Sequence, residues 1–121
     1  MVLRFRRIYN IYGLLDRDIK YIIKALEQHD EIEKAIIFGS RAMGNYKKGS
    51  DVDIAIIGES VNRSIIYKLD DCLNEVYPLP YFFDIIQYNA ITNENLINHI
   101  DNEGKVIYTK NKYLPLNKKA S

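Results

Sequence analysis

The chain has 121 residues, of which 47% are hydrophobic and 27% charged, a composition typical of a folded domain and not of a disordered segment. This length fits one domain and leaves no room for a second substrate-recognition domain. Seventeen Lys and Arg against sixteen Asp and Glu give a net charge of +1. Because proteins that coat phosphate backbones are strongly basic, nucleic acid is not expected as the main partner.

Neither a signal peptide nor a membrane span is expected from the sequence. Three arginines, Arg4, Arg6 and Arg7, interrupt the apolar residues of the N-terminus, so a signal peptide is not expected. No stretch approaches the roughly 20 apolar residues of a membrane span, and the single Cys72 cannot form an intramolecular disulfide. We therefore expect a cytoplasmic protein with one domain in residues 1–110 and a basic tail in residues 111–121.

The first half of the domain is predicted to contain a helix and two strands. Apolar residues recur at helical spacing after Asp16, which predicts a helix over residues 17–29 with Asp16 as its N-cap. Residues 35–38 form a short apolar run that ends at a glycine, as in a buried strand. A loop over residues 40–50 then leads to a second apolar, β-branched strand over residues 52–57.

The second half alternates helix and strand. An amphipathic pattern predicts a helix over residues 61–76, followed by an aromatic-rich strand over residues 81–88. A short helix is expected between Thr92 as its cap and Gly104 as its terminator, before a last strand over residues 105–108. The predicted fold class is α+β, with a small mixed sheet of about four strands packed with about three helices.

Three aspartates occupy positions that a purely structural role does not explain. Because side chains alternate along a strand, Asp51 and Asp53 project from one face at the start of the second strand. Asp84 lies within the apolar residues of the third strand, where an unpaired buried carboxylate would be costly. One alternative is that Asp51 is a turn residue and Asp84 pairs with an arginine such as Arg41. The interpretation we favour is that a cation is shared by all three carboxylates.

Such a cluster selects a particular kind of cation. Carboxylates about 5 Å apart repel by about 3 kcal/mol per pair at an effective dielectric constant of about 20. Oxygen ligands without a nearby His or Cys favour Mg²⁺, with Mn²⁺ as the substitute, over zinc. Two such ions stabilise the attacking and the leaving oxygen in phosphoryl and nucleotidyl transfer. We therefore predict two Mg²⁺ ions held by Asp51, Asp53 and Asp84.

A Gly-Ser pair where the first strand gives way to a loop supplies the other half of the predicted site. Gly39 lets the backbone approach an anion closely, and the Ser40 hydroxyl and neighbouring N–H groups can donate to phosphate oxygens. Arg41 is close enough in sequence to add positive charge. Lys47 and Lys48, at the far end of the loop, either contact the same phosphates or are simply solvated.

These residues resemble the nucleotidyltransferase superfamily that shares the fold of DNA polymerase beta, and more closely its minimal stand-alone members of the MntA antitoxin type. The signature is Gly-Ser, ten residues and Asp-x-Asp, here Gly39, Ser40, Asp51 and Asp53. The resemblance implies that the two aspartates hold both metals and that Gly39 and Ser40 hold the triphosphate. It also implies that Asp84 completes one metal site and helps to activate the acceptor hydroxyl.

The resemblance further implies a partner and a reaction. In that family the partner is a HEPN-domain RNase toxin, and the antitoxin transfers AMP from ATP to a tyrosine of the toxin, within a hetero-oligomer. We therefore expect an antitoxin nucleotidyltransferase that inactivates its toxin by adenylylation. At Met43 this sequence departs from relatives that often carry a basic residue there.

Other functions stay open at this point. A binding antitoxin could occlude its partner through the basic, aromatic N-terminus and the lysine-containing tail, without catalysis. A nucleotidyltransferase subunit could instead modify an RNA or a small-molecule hydroxyl. His29, His99 and Glu59 have no predicted role.

Overall fold

The structure, a computed structural model, describes residues 9–110. The predicted basic tail over residues 111–121 and the N-terminal arginines lie outside these residues. The strands are β1 (Tyr9–Ile11), β2 (Leu14–Leu15), β3 (Lys34–Phe38), β4 (Val52–Ile57), β5 (Phe83–Gln87) and β6 (Lys105–Thr109). The α-helices are α1 (Asp16–Glu27), α2 (Ser40–Met43), α3 (Arg63–Asp71) and α4 (Glu94–Glu103).

Four strands form one mixed sheet in the order β5-β4-β3-β6. Strand β3 pairs antiparallel with both β4 and β6, whereas β4 and β5 run parallel. This arrangement confirms the predicted α+β fold. The sequence missed the small β1-β2 hairpin and the short α2, which lies inside the predicted loop.

The helix starts differ from the predicted caps. Asp16 is the first residue of α1, so the prediction that it caps the helix is wrong; Leu15 takes that place and its N–H donates to Asp18 Oδ2 at 3.0 Å. Helix α4 is capped by Asn93, whose side chain accepts the Leu96 N–H at 3.1 Å, and not by Thr92. Asp18 thus accepts the N–H of the residue that precedes its helix, whereas Asn93 accepts an N–H of the first turn that has no acceptor within the helix.

Helix α3 is shorter than predicted but continues in another geometry. It begins after Asn62, which accepts the Ile65 N–H at 3.0 Å, and passes at Cys72 into a π-helical turn, Cys72–Val76. Within residues 9–110 we find no helix with both the length and the apolar character needed to cross a membrane.

Helices cover the two faces of the sheet unequally. Residues of α1 and α3 share the larger apolar cluster with inward residues of β3, β4 and β5, among them Ile22, Leu69, Ile37, Ile54 and Phe83. On the other face Ile100 of α4 packs with Phe38 and Ala55 in a smaller cluster. This second face, which we call the α4 face, is the one on which the acidic residues lie.

At the start of β5, a side chain makes the backbone hydrogen bonds that a neighbouring strand would otherwise make. Asn74, in the π-helical turn, donates to the Phe83 carbonyl at 2.9 Å and accepts the Phe83 N–H at 2.7 Å. Phe83 is paired with Val52 on the other side of β5. The free edge of β5 is therefore fixed at the residue before Asp84.

We expect Asn74→Ala to lower the free energy of unfolding by about 1 to 3 kcal/mol, because it leaves the Phe83 N–H and carbonyl without their partner. Urea titration of the purified variant measures this loss. Asn98→Ala is the matched control, since Asn98 is exposed on α4. Equal midpoints for the two variants would contradict the role assigned to Asn74.

Candidate active site

Strand register aligns three residues across the sheet at one end. Phe38 of β3 pairs with Asp53 of β4, and Asp53 pairs with Asp84 of β5. Because directly paired residues project from the same face of a sheet, the structure brings the Asp53 and Asp84 side chains together on the α4 face. Asp51 precedes β4 by one residue and lies two residues before Asp53.

The electrostatics of the site centre on Asp53. Burial, followed by the charges of Asp84 and Asp51, raises the pKa of Asp53 from its ordinary value of 3.8 to about 6. His99 and Arg41 act against this shift and lower the pKa. The charges of the other two predicted carboxylates therefore act on Asp53.

Two sequence-based premises about Asp84 are wrong. Its side chain is exposed, so burial of Asp84 does not by itself require a partner; the partly buried group is Asp53. Within residues 9–110, the alternative of an ion pair between Asp84 and Arg41 is also absent, since the salt bridges there involve Asp18 and Asp16.

The three aspartates offer oxygen ligands for a divalent cation. Among the described residues, no three His, Cys, Asp or Glu side chains lie close enough to form a ready metal site. The donor set nevertheless suits Mg²⁺, because these carboxylates are hard oxygen ligands and because repulsion by Asp84 and Asp51 adds to burial in raising the pKa of Asp53. A cation between them would reverse that repulsion.

Gly39 lies against this carboxylate. Its backbone has a φ of +76°, and a β-carbon at this position would collide with Asp53 Oδ2. The residue directly after β3 must therefore be glycine for Asp53 to keep its position. Ser40 follows as the first residue of α2.

His99 is a residue of the site that the sequence did not identify. Its Nε2 accepts the Gly39 N–H at 3.0 Å, and its ring packs edge-on against Phe38 with centroids 6.0 Å apart. This bond occupies an N–H that was expected to be free for phosphate. The available signal was the spacing of His99 three residues after Leu96, which places both on one side of α4.

Arg41 is buried and binds backbone carbonyls of the site. The residue is only 3% exposed, and its guanidinium donates to the Ser50 carbonyl from Nε at 3.1 Å and from Nη2 at 2.7 Å. Nη1 donates to the Tyr12 carbonyl at 3.0 Å. Three of its five N–H groups are thus engaged, which does not favour the predicted contact with a triphosphate. Arg41 instead fixes the backbone immediately before Asp51.

Two tyrosines enclose the Arg41 guanidinium. Its central carbon lies 5.2 Å from the ring centroid of Tyr46 and 5.0 Å from that of Tyr81, within the range of cation–π contacts. The Tyr81 hydroxyl donates to Asp18 Oδ2 at 2.7 Å. Burial, and then this carboxylate, raise the pKa of Tyr81 to about 12, so the hydroxyl stays a donor at neutral pH.

Lys47 and Lys48 line a cavity of about 350 Å³ together with Arg41 and Tyr81. None of the three aspartates lines this cavity. The two lysines are thus placed beside the buried arginine, and a contact with the triphosphate stays a prediction.

Comparison with known proteins places this geometry among nucleotide-transferring enzymes. A sequence model of the family described as Polymerase beta, Nucleotidyltransferase matches residues 20–113, which confirms the resemblance predicted from the Gly-Ser and Asp-Val-Asp segment. A protein of Methanocaldococcus jannaschii, provisionally named a protein adenylyltransferase, is 29% identical over 100 residues, covering 77% of this chain and 97% of the relative.

Solved structures share the fold at low sequence identity. A crystal structure of a toxin–antitoxin with AMP-PNP has a TM-score of 0.63 and 21% identity, covering 81% of this chain and 78% of the other. The complex of a tri-AMPylated Shewanella oneidensis HEPN toxin with an MNT antitoxin has a TM-score of 0.60 and 18% identity, covering 84% and 77%.

We expect Gly39→Ala to be more destabilising than Gly49→Ala when melting temperatures are measured in EDTA. Both glycines have a left-handed φ, +76° and +87°, but only Gly39 has the Asp53 carboxylate in the space that the β-carbon would take. A left-handed backbone costs a residue with a β-carbon about 1 to 2 kcal/mol, and Gly39, with a ψ of −156°, lies in a region that is essentially restricted to glycine. Adding Asp53→Ala to Gly39→Ala should recover part of the extra loss, and strict additivity would argue against the collision.

The raised pKa of Asp53 predicts that Asp53→Asn makes the metal-free protein more stable to heat, by an amount that depends on pH. Because the folded pKa lies above the unfolded one, ionisation of Asp53 opposes folding. This opposition is absent near pH 4, grows up to about pH 6 and stays constant above it. The variant should therefore melt higher than the parent protein at neutral pH, with the difference vanishing towards pH 4.

Thermal unfolding in EDTA across this pH range measures the effect. Asp71→Asn, at an exposed position on α3, is the control and should show no such profile. A gain for Asp53→Asn that is equal at every pH would show that charge repulsion is not its cause.

Proposed function

The chain belongs to the polymerase beta nucleotidyltransferase family, and we propose that it transfers AMP from ATP, with Mg²⁺, to a tyrosine hydroxyl of a HEPN-domain toxin and so inactivates the toxin. The observation that carries the proposal is the register that places Asp84 beside Asp53, with Gly39 and Ser40 at the end of the next strand. This arrangement provides an acidic site between an anion-binding turn and an open sheet edge.

The choice of AMP and of a toxin rests on what the relatives are. The Methanocaldococcus jannaschii relative carries the name of a protein adenylyltransferase. Two proteins of the same fold are in toxin–antitoxin structures, one with AMP-PNP and one with a tri-AMPylated HEPN toxin. The tyrosine acceptor and the need for Mg²⁺ are carried over from the sequence resemblance and the three aspartates.

The reaction balances as a single displacement at the α-phosphorus of ATP. The acceptor oxygen forms a bond to phosphorus, the bond from phosphorus to the bridging oxygen breaks, and the electron pair leaves with pyrophosphate. The hydroxyl proton passes to a carboxylate, for which Asp84 is the best placed because it lies at the exposed edge. Bound Mg²⁺ would neutralise charge on the reacting oxygens.

The other residues of the site would bind the reactants or hold the backbone in place. Asp51 and Asp53 would hold the metal ions, and Ser40 begins α2, where the N–H groups of the first turn have no acceptor within the helix. These donors and the Ser40 hydroxyl can hold the triphosphate. Arg41 supports the site through the Ser50 carbonyl, which immediately precedes Asp51.

We expect incubation of a purified HEPN-domain partner with this chain, ATP and Mg²⁺ to add one or more AMP units to the partner, measured by intact mass. Asp53→Asn and Asp84→Asn should each abolish the addition without dissociating the complex. Asp84→Asn should not lower the melting temperature in EDTA, since the side chain is exposed and its charge is repelled by Asp53.

Asp71→Asn is the matched control, because it removes a carboxylate from a helix that packs on the opposite face of the sheet. It should leave transfer unchanged. If no AMP is added under any of these conditions, the proposal fails. If the partner stays inactive with Asp53→Asn in the complex, inhibition is by occlusion and not by transfer.

A further inference from the structure

An exposed aromatic side chain lies beside the candidate active site. Phe82 is 58% exposed, whereas its neighbour Phe83 is fully buried. The Phe82 carbonyl accepts the Val52 N–H at 2.9 Å, which places Phe82 next to the start of β4 and to Asp51. Because side chains alternate along an extended chain, Phe82 projects from the same face as Asp84.

The strand order places the predicted phosphate-binding residues and the exposed residues Phe82 and Asp84 on opposite sides of Asp53. Gly39 and Ser40 follow β3, on one side of Asp53, whereas Asp84 and Phe82 belong to β5 and the residue before it, on the other side. In nucleotidyl transfer the attacking and leaving oxygens lie roughly in line on opposite sides of phosphorus. With the triphosphate held at Gly39 and Ser40, pyrophosphate leaves over β3 and the acceptor hydroxyl approaches over β5.

We propose that Phe82 is a specificity residue that packs against the acceptor segment of the partner protein, next to the hydroxyl that is modified. This inference rests on the proposed transfer to a protein. An exposed aromatic side chain at this point suits a polypeptide acceptor, because aromatic residues are enriched where protein interfaces become fully buried. A tyrosine ring beside Phe82 would also gain an aromatic contact.

The test is the rate of AMP transfer by the full chain as a function of acceptor concentration, at saturating ATP and Mg²⁺. Phe82→Ala should raise the KM for the acceptor by about tenfold or more, with little change in kcat or in the KM for ATP. Phe82→Leu, which keeps an apolar side chain, should have an acceptor KM between those of Phe82→Ala and the unmodified chain. Val76→Ala is the control, since Val76 is 64% exposed and belongs to the π-helical turn, whose Leu73 packs in the apolar cluster on the other face of the sheet.

The outcomes separate the two proposals. Absence of transfer by the unmodified chain rejects the proposed function and, with it, the role of Phe82. Normal transfer with an unchanged acceptor KM in Phe82→Ala rejects the role of Phe82 alone. A raised KM for ATP with an unchanged acceptor KM would show that Phe82 contacts the nucleobase instead. An unchanged melting temperature of Phe82→Ala in EDTA verifies that the variant is folded.

Discussion

The close approach between the Asp53 carboxylate and the backbone of Gly39 is the constraint on which the site depends. Antiparallel pairing sets Asp53 opposite Phe38, so the next residue after β3 necessarily meets the carboxylate. Only a residue without a β-carbon leaves that space open. The Gly-Ser turn and the Asp-Val-Asp strand are therefore one structural unit, and a phosphate near the turn is also near the acidic residues.

The same end of the sheet is held at two further points by polar side chains. Asn74 binds the backbone of Phe83, and Arg41 binds the carbonyl of Ser50. Each held residue is followed directly by one of the exposed aspartates. Among the residues that the structure describes, these two carboxylates have no hydrogen-bond partner, yet the backbone directly before each of them is fixed. Fixed backbone of this kind can keep repelling charges close together.

Sequence patterns predicted the central part of this architecture because strands β3, β4 and β5 are apolar runs with clear ends. They failed where a tertiary contact decides the outcome. The exposure of Asp84 depends on its position at a sheet edge, and the role of Arg41 depends on a carbonyl nine residues away. His99 enters the site only through the packing of α4. The β1-β2 hairpin contains strands of three and two residues, too short for a periodic pattern, around a Tyr12 with a φ of 59°.

The exposure of Asp51 and Asp84 has a consequence for the chemistry of any bound nucleotide. Nothing in the part of the chain that the structure describes covers these two side chains. Under the proposed function, bulk water would have access to a nucleotide bound beside these carboxylates and could hydrolyse ATP unproductively. Exclusion of water then falls to the acceptor itself. The toxin would be both the substrate and the lid of the site, so wasteful hydrolysis would fall when the target is bound.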